Sequence, residues 1–194
     1  MLSEYHAVLG VLGVLTGVAR YALYYRDIFK GKTKPHPFSW FVWGIMNVIV
    51  FFAQVISNAG PGVWVTALVA IACLSISVVA LFKGEKVITR LDWFCFFTAL
   101  LGIVLWQVTN QPLLAVIIVT VTDAIAYIPT YRKSYWKPDE ETASSYVLAA
   151  LRSVFALAAL DSLALVNWLF PASLVITDGG FALMLWIRRR QLKI

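Results

Sequence analysis

The sequence predicts an all-α integral membrane protein with seven transmembrane helices. Hydrophobic residues make up 61% of the 194 residues and charged residues 13%, whereas soluble domains are roughly 45–50% apolar and about 25% charged. Seven apolar segments each approach the ~20 residues that a helix needs to cross a bilayer. Helix is expected because lipid offers backbone groups no hydrogen-bond partners. The segments span 5–24, 38–57, 62–82, 91–109, 112–131, 145–165 and 168–187.

Basic residues mark one end of the predicted bundle. The connections "SNAGPG", "TNQP" and "LVNW" carry none, whereas the alternate connections and the C-terminal tail carry 14 of the 16. Lysine and arginine are enriched in cytoplasmic loops, so the N-terminus is predicted to lie outside and the C-terminus in the cytoplasm. The predicted location is the bacterial inner membrane. The basic cytoplasmic loops of a protein in the lipid bilayer account for the net charge of +6, and we predict no nucleic-acid partner. The 14 residues are Arg26, Lys30, Lys32, Lys34, Lys83, Lys86, Arg90, Arg132, Lys133, Lys137, Arg188, Arg189, Arg190 and Lys193.

An offset of 106 residues aligns the two ends of the chain without a gap. Tyr21 then matches Tyr127, and Arg26 and Ser39 match Arg132 and Ser145. The competing interpretation is that any two membrane hairpins look alike. If the duplication is real, 5–84 and 111–190 are three-helix repeats, 85–110 is a linker helix and 191–194 is a basic tail. The linker restores the orientation of the second repeat, which gives a single 3+1+3 domain over 1–194 with parallel repeats.

The 3+1+3 plan, the outside N-terminus and the basic loop after each repeat's first helix resemble the SWEET and PQ-loop superfamily. Members of that family are small carriers of sugars, amino acids and related solutes. The family's Pro-Gln pair would fall at Leu23-Tyr24 and Pro129-Thr130, and only Pro129 matches. The resemblance implies a solute site near the midplane between the two repeats.

Asp123, Arg152 and Asp178 interrupt the three helices of the second repeat. They lie seven to nine residues from the cytoplasmic ends of their segments, so at 1.5 Å per residue they share one depth. A charge at a helix centre costs about 2.5–3.5 kcal/mol on insertion scales. Two interpretations stay open: a substrate or proton site in a central cavity, or a salt-bridge triad that fixes packing. No partner is assigned to Arg20, which is expected to extend towards the cytoplasmic edge.

Neutral polar residues are the candidates in the first repeat. Thr16, Asn47 and Ser75 lie near the depth of the three charges and would form a neutral wall opposite a charged one. Asn47 is equally well explained by a hydrogen bond between helices. Ser39 and Ser144 or Ser145 are candidate N-caps.

Five residues are candidates for a gate or hinge. Trp40 and Trp43 lie at the cytoplasmic rim, where a tryptophan anchors the helix at the interface or closes a pathway. Tyr21 and Tyr127 are equivalent in the two repeats. Pro129 removes a helix hydrogen bond, so it is either a hinge or a helix terminator.

No motif of a metal, haem, nucleotide or hydrolase site is present, and we predict neither an enzyme nor a cofactor. The predicted function is a small secondary transporter for a small polar or ionisable solute, with protons as the candidate coupling ion. The alternative is a receptor or assembly protein of the same fold that binds a peptide or protein without transport. A transporter needs a cavity that opens to each side in turn, whereas a receptor needs access from one side.

Overall fold

A computed structural model describes residues 2–56, 63–109, 111–158 and 164–193. Within these ranges the chain forms seven α-helices and one short 3-10 helix, η1, over Pro138–Glu140. The predicted all-α class is therefore confirmed. The α-helices are α1 (Leu2–Phe29), α2 (Pro37–Ile56), α3 (Val63–Lys83), α4 (Arg90–Val108), α5 (Pro112–Trp136), α6 (Ala143–Ala158) and α7 (Leu165–Leu192).

Two of these helices contain stretches long and apolar enough to cross a membrane by length and composition. They lie in α5, over Leu113–Trp136, and in α7, over Trp168–Leu192. Shorter apolar stretches lie in α3, over Ala67–Lys83, and in α6, over Ala143–Ala158. A membrane protein is compatible with these helices, and the count of seven crossings stays a prediction.

Several helices extend further at the basic end than the apolar pattern indicates. The fifth helix ends at Trp136 rather than near 131, and α7 continues to Leu192. Arg132, Lys133 and the three arginines 188–190 therefore lie in final helical turns and not in a loop or tail. Unpaired carbonyls give a helix C-terminus a partial negative charge, which favours cations there. We call this side of the bundle, with its connections at 30–36, 84–89 and 137–142, the basic end.

The two predicted halves have corresponding helix contacts. The third helix packs on α1 and α2, as α7 packs on α5 and α6. Contacts also cross between the halves, α1 with α6 and α2 with α5, while α4 packs against α5 and α2. Gly102 allows α4 to approach Thr122 of α5, where a Cβ atom would clash with the threonine side chain.

The bundle exposes many large apolar side chains and buries charged ones at its centre. Ile71, Phe94 and Ile176 are 66%, 69% and 73% exposed. Asp123 and Asp178 are 5% and 2% exposed. Soluble domains bury few charged residues and expose few large apolar patches, so this arrangement is typical of a surface that contacts lipid.

Three local expectations are changed by the structure. Ser39 and Ser145 lie within the first turns of α2 and α6 and are not N-caps. Their hydroxyls bond across the bundle, to the carbonyls of Ala126 and Arg20. Pro129 does not terminate α5, which continues seven residues beyond it. Its assignment as a hinge stays a prediction.

Candidate functional site

A cavity of about 100 Å³ lies at the centre of the bundle. It is smaller than the roughly 300–1,000 Å³ typical of sites for drug-sized ligands, so only a small molecule fits in this conformation. Every α-helix except α4 contributes to its wall. The lining residues are Arg20, Tyr21, Trp43, Asn47, Val69, Cys73, Asp123, Tyr127, Arg152, Phe170, Leu174 and Asp178.

Four charged residues line this cavity. Asp123, Arg152 and Asp178 come together, as their common depth in the sequence predicts. The fourth is Arg20, which does not extend to the cytoplasmic edge as expected: it is 7% exposed and lies in the cavity wall. Arg20 and Arg152 are the two basic residues that the basic end does not hold. The cavity thus contains two potential cations and two potential anions.

These four charges surround the cavity without pairing. None of the ion pairs that the structure shows, at 4.0 Å or less, joins Arg20 or Arg152 to either aspartate. Arg20 Nε, Asp123 Oδ2 and Trp43 Nε1 are buried and have no partner with hydrogen-bonding geometry. An unsatisfied buried polar group costs about 1–3 kcal/mol. A salt-bridge triad that fixes packing would satisfy these groups, so the geometry favours the cavity interpretation.

The remaining polar contacts in the cavity fix side-chain positions. Tyr127 donates a short hydrogen bond to Oδ1 of Asp178. The guanidinium of Arg20 lies 5.2 Å from the ring centre of Tyr21 and 5.9 Å from that of Tyr146. Both distances fall within the range of cation–π attraction. The aromatic rings therefore hold Arg20 in place without using its Nε hydrogen.

The neutral candidates separate into one that reaches the cavity and two that do not. Asn47 lines it, and its side-chain nitrogen donates to the carbonyl of Trp43 in the same helix. The hydroxyl of Thr16 bonds to carbonyls of its own helix. Ser75 is occupied by Tyr25 and by carbonyls of α3. Thr16 and Ser75 lie outside the lining, so the neutral wall is formed by Asn47 and by apolar residues.

Six aromatic rings close the cavity towards the basic end. Centroid distances of 4.4–6.2 Å link each ring to the next in a circuit, and no member is more than 7% exposed. Two of the gate candidates at the rim, Trp40 and Trp43, are thus inside the protein. We call this set the aromatic seal: Tyr24, Trp40, Trp43, Tyr127, Tyr146 and Phe181.

A buried carboxylate supports the seal from its basic side. Glu141 Oε2 accepts hydrogen bonds from Tyr24 at 3.0 Å and from Tyr146 at 3.3 Å. Its Oε1 pairs with Lys133 Nζ at 2.9 Å, and both side chains are fully buried. Trp40 in turn donates to the hydroxyl of Tyr24 at 3.2 Å. Glu141 therefore connects helices from both halves below the rings.

The cavity is more open on the side away from the basic end. Asn47, Val69, Phe170 and Leu174 are half-buried, whereas the rings of the seal are buried. No group of three or more metal-binding side chains occurs in the part of the chain that the structure describes. The arrangement can bind a small polar molecule.

Sequence reasoning did not identify Arg20 or Glu141 as site residues. For Arg20 a signal existed, because it and Arg152 are the basic residues left when the basic loops are removed. Glu141 lies in "KPDEETASS", and the sequence alone indicates only an acidic loop there. Its burial depends on Lys133 and two tyrosines that arrive from other helices.

Comparisons with protein-family models, curated proteins and solved structures find no match to this chain. The resemblance to the SWEET and PQ-loop superfamily therefore rests on the plan of the sequence and stays a prediction. The class that the described residues define is a helical bundle with an apolar exterior and a charged central cavity.

Proposed function

We propose that this chain is an integral membrane carrier that moves a small polar or ionisable solute through the central cavity. In this proposal all seven α-helices cross the bilayer and the basic end faces the cytoplasm. The observation that supports this proposal most is the set of four charged residues without ion-pair partners around a cavity that six helices line. Evolution rarely keeps charges at the centre of a membrane bundle unless they serve a pathway or a ligand.

The closed and open ends of the cavity fit an alternating-access cycle. The aromatic seal blocks the basic end, and the half-buried residues opposite leave access from the other side. The two halves touch through α1 with α6 and through α2 with α5, so rocking at these contacts would open the seal. Carriers built from repeats bind solute at the repeat interface near the midplane.

The receptor alternative keeps one supporting observation. In this conformation the cavity is closed by buried residues at one end, and a receptor needs access from only one side. Transport by rocking of the halves requires that the Tyr24–Glu141 hydrogen bond, which joins them, breaks during each cycle. A receptor would keep this bond.

Uptake into liposomes tests the proposal. The purified protein is reconstituted, incubated with a pool of small metabolites, and the vesicle contents are analysed by mass spectrometry against protein-free vesicles. We expect selective accumulation of a small polar solute, which Asp123→Asn abolishes and the exposed-site control Asp139→Asn retains. If no solute enters although ligands stabilise the protein, the receptor alternative is favoured.

A further inference from the structure

Two charged residues of the cavity, one of each sign, have a buried atom without a hydrogen-bond partner. Arg20 Nε is a donor on a cation, Asp123 Oδ2 is an acceptor on an anion, and both are buried without a partner. Both side chains are more than nine-tenths buried, with 7% and 5% exposure. A ligand that satisfies the two groups must accept a hydrogen bond at one point and donate one at another.

The charge balance of the whole wall narrows the class of ligand. Arg20 and Arg152 are matched by Asp123 and Asp178, so the formal charge of the cavity is zero. A singly charged solute would leave a net charge in a low-dielectric space, where burial of an uncompensated ion is expensive. A neutral polyol could hydrogen-bond both groups but would bring no opposite charge to either, so the attraction that offsets the cost of burying each ion would be missing.

We propose that the solute is a small zwitterion, with its anionic group on Arg20 and its cationic group on Asp123. The proposal rests on the proposed function, because it names the solute class of the same cavity. The volume of about 100 Å³ limits the molecule to a few non-hydrogen atoms between its two charges.

A matched panel of small molecules tests the charge requirement by binding alone. Glycine, β-alanine and taurine are the zwitterions, each with an ammonium that donates hydrogen bonds; glycinamide is the cation, N-acetylglycine is the anion and glycerol is the neutral member. Each is added at millimolar concentration to the full chain in detergent, and the unfolding temperature is measured. A ligand that binds the folded state raises that temperature. We expect a rise with at least one zwitterion and with none of the other three.

Two variants should change the preferred charge in opposite directions. In Arg20→Met the cavity gains a net negative charge, so the zwitterion response falls and glycinamide begins to bind. In Asp123→Asn the opposite change favours N-acetylglycine. Loss of one charged hydrogen bond should weaken zwitterion binding roughly tenfold to hundredfold. Arg20→Lys keeps the cation and should retain part of the response, while Arg26→Met and Asp139→Asn are the exposed-site controls.

The outcomes separate this inference from the proposed function. A response to the anion, the cation or glycerol alone overturns the zwitterion proposal, as does no response to any zwitterion, even if uptake of another solute establishes a carrier. Zwitterion binding that fails to produce uptake into liposomes supports the ligand class and contradicts transport.

Discussion

Ser145 donates a hydrogen bond from its hydroxyl to the backbone carbonyl of Arg20, over 3.3 Å. Ser39 makes the corresponding bond to the carbonyl of Ala126, over 2.6 Å. Each donor and each acceptor is separated from its counterpart by 106 residues, the offset that aligns the halves in sequence. Each bond joins the second helix of one half to the first helix of the other, so the two contacts support duplication.

Removal of these hydroxyls should weaken the contact between the halves unequally. Ser39 also accepts a hydrogen bond from the fully buried Thr130, whereas Ser145 has one partner. Hydrogen bonds between membrane helices are worth about 0.6 kcal/mol on average, up to about 1.7. We expect Ser145→Ala to lower the free energy of unfolding by about 0.5 kcal/mol and Ser39→Ala by more, measured by denaturant titration in detergent. Equal effects would contradict the role of Thr130.

The Lys133–Glu141 pair should be costly to break from one side. Lys133→Met leaves a fully buried carboxylate without its cation, and such changes typically cost about 3–5 kcal/mol. The double change Lys133→Met with Glu141→Gln should recover much of that loss. Lys34–Glu140 is the matched control, because Lys34 is 46% exposed and exposed pairs contribute below about 1 kcal/mol. Similar losses in Lys133→Met and Lys34→Met would show that burial of the pair is unimportant.

Glu85 should contribute to the stability of the basic end above acidic pH. Burial raises the pKa of this carboxyl, but the hydrogen bond from the Val87 N–H and the ammonium of Lys137 outweigh it, so the net pKa lies below the usual value. The stabilisation is therefore present above the ordinary glutamate pKa of about 4.3 and is lost as pH falls through the lower folded value. As the pH is lowered below about 4.3, the free energy of unfolding should decrease less steeply in Glu85→Gln than in the wild type. If the free energy of unfolding decreases in parallel in the two proteins, the lowered pKa of Glu85 is contradicted.

The proposed topology predicts which positions an impermeant thiol reagent reaches from outside. In a background without Cys73 and Cys95, cysteines that replace Asn58 and Asn110 should react in intact cells. Cysteines that replace Lys32 and Lys137 should react only after the membrane is opened. Asn58 and Asn110 lie outside the described residues, so this expectation comes from the charge pattern alone. The reverse pattern would overturn the orientation, and reaction at all four sites would overturn the crossings.

The sequence predicted the helices well because their apolar composition is a local property. The depth of Asp123, Arg152 and Asp178 could also be predicted, since a regular helix converts residue count directly into distance. What could not be predicted was which face each helix turns towards the cavity. Thr16 and Ser75 have suitable depth but bond to their own helices or to Tyr25, because a serine or threonine hydroxyl finds a carbonyl within one turn.

The basic end was harder to predict for a different reason. Its charges predict a topology, and that prediction is the same whether the charges lie in a loop or in a helix. Lys133 differs because it becomes fully buried against Glu141, a contact that depends on how η1 folds back on α5. Composition identified the basic side, but only tertiary packing identifies a buried ion pair within it.

Thermal unfolding of Asp123→Asn beside Asp92→Asn tests most directly whether the cavity charges serve a solute rather than the fold. Asp92 is fully buried and paired through both carboxylate oxygens with Arg132, at 2.7–2.9 Å, whereas Asp123 Oδ2 has no partner. Removal of an unsatisfied buried charge relieves a cost that function imposes. The account predicts that Asp123→Asn unfolds at or above the wild-type temperature and Asp92→Asn below it. If Asp123→Asn lowers the unfolding temperature as much as Asp92→Asn does, the aspartate holds the fold together and the cavity is not a solute site of the kind proposed.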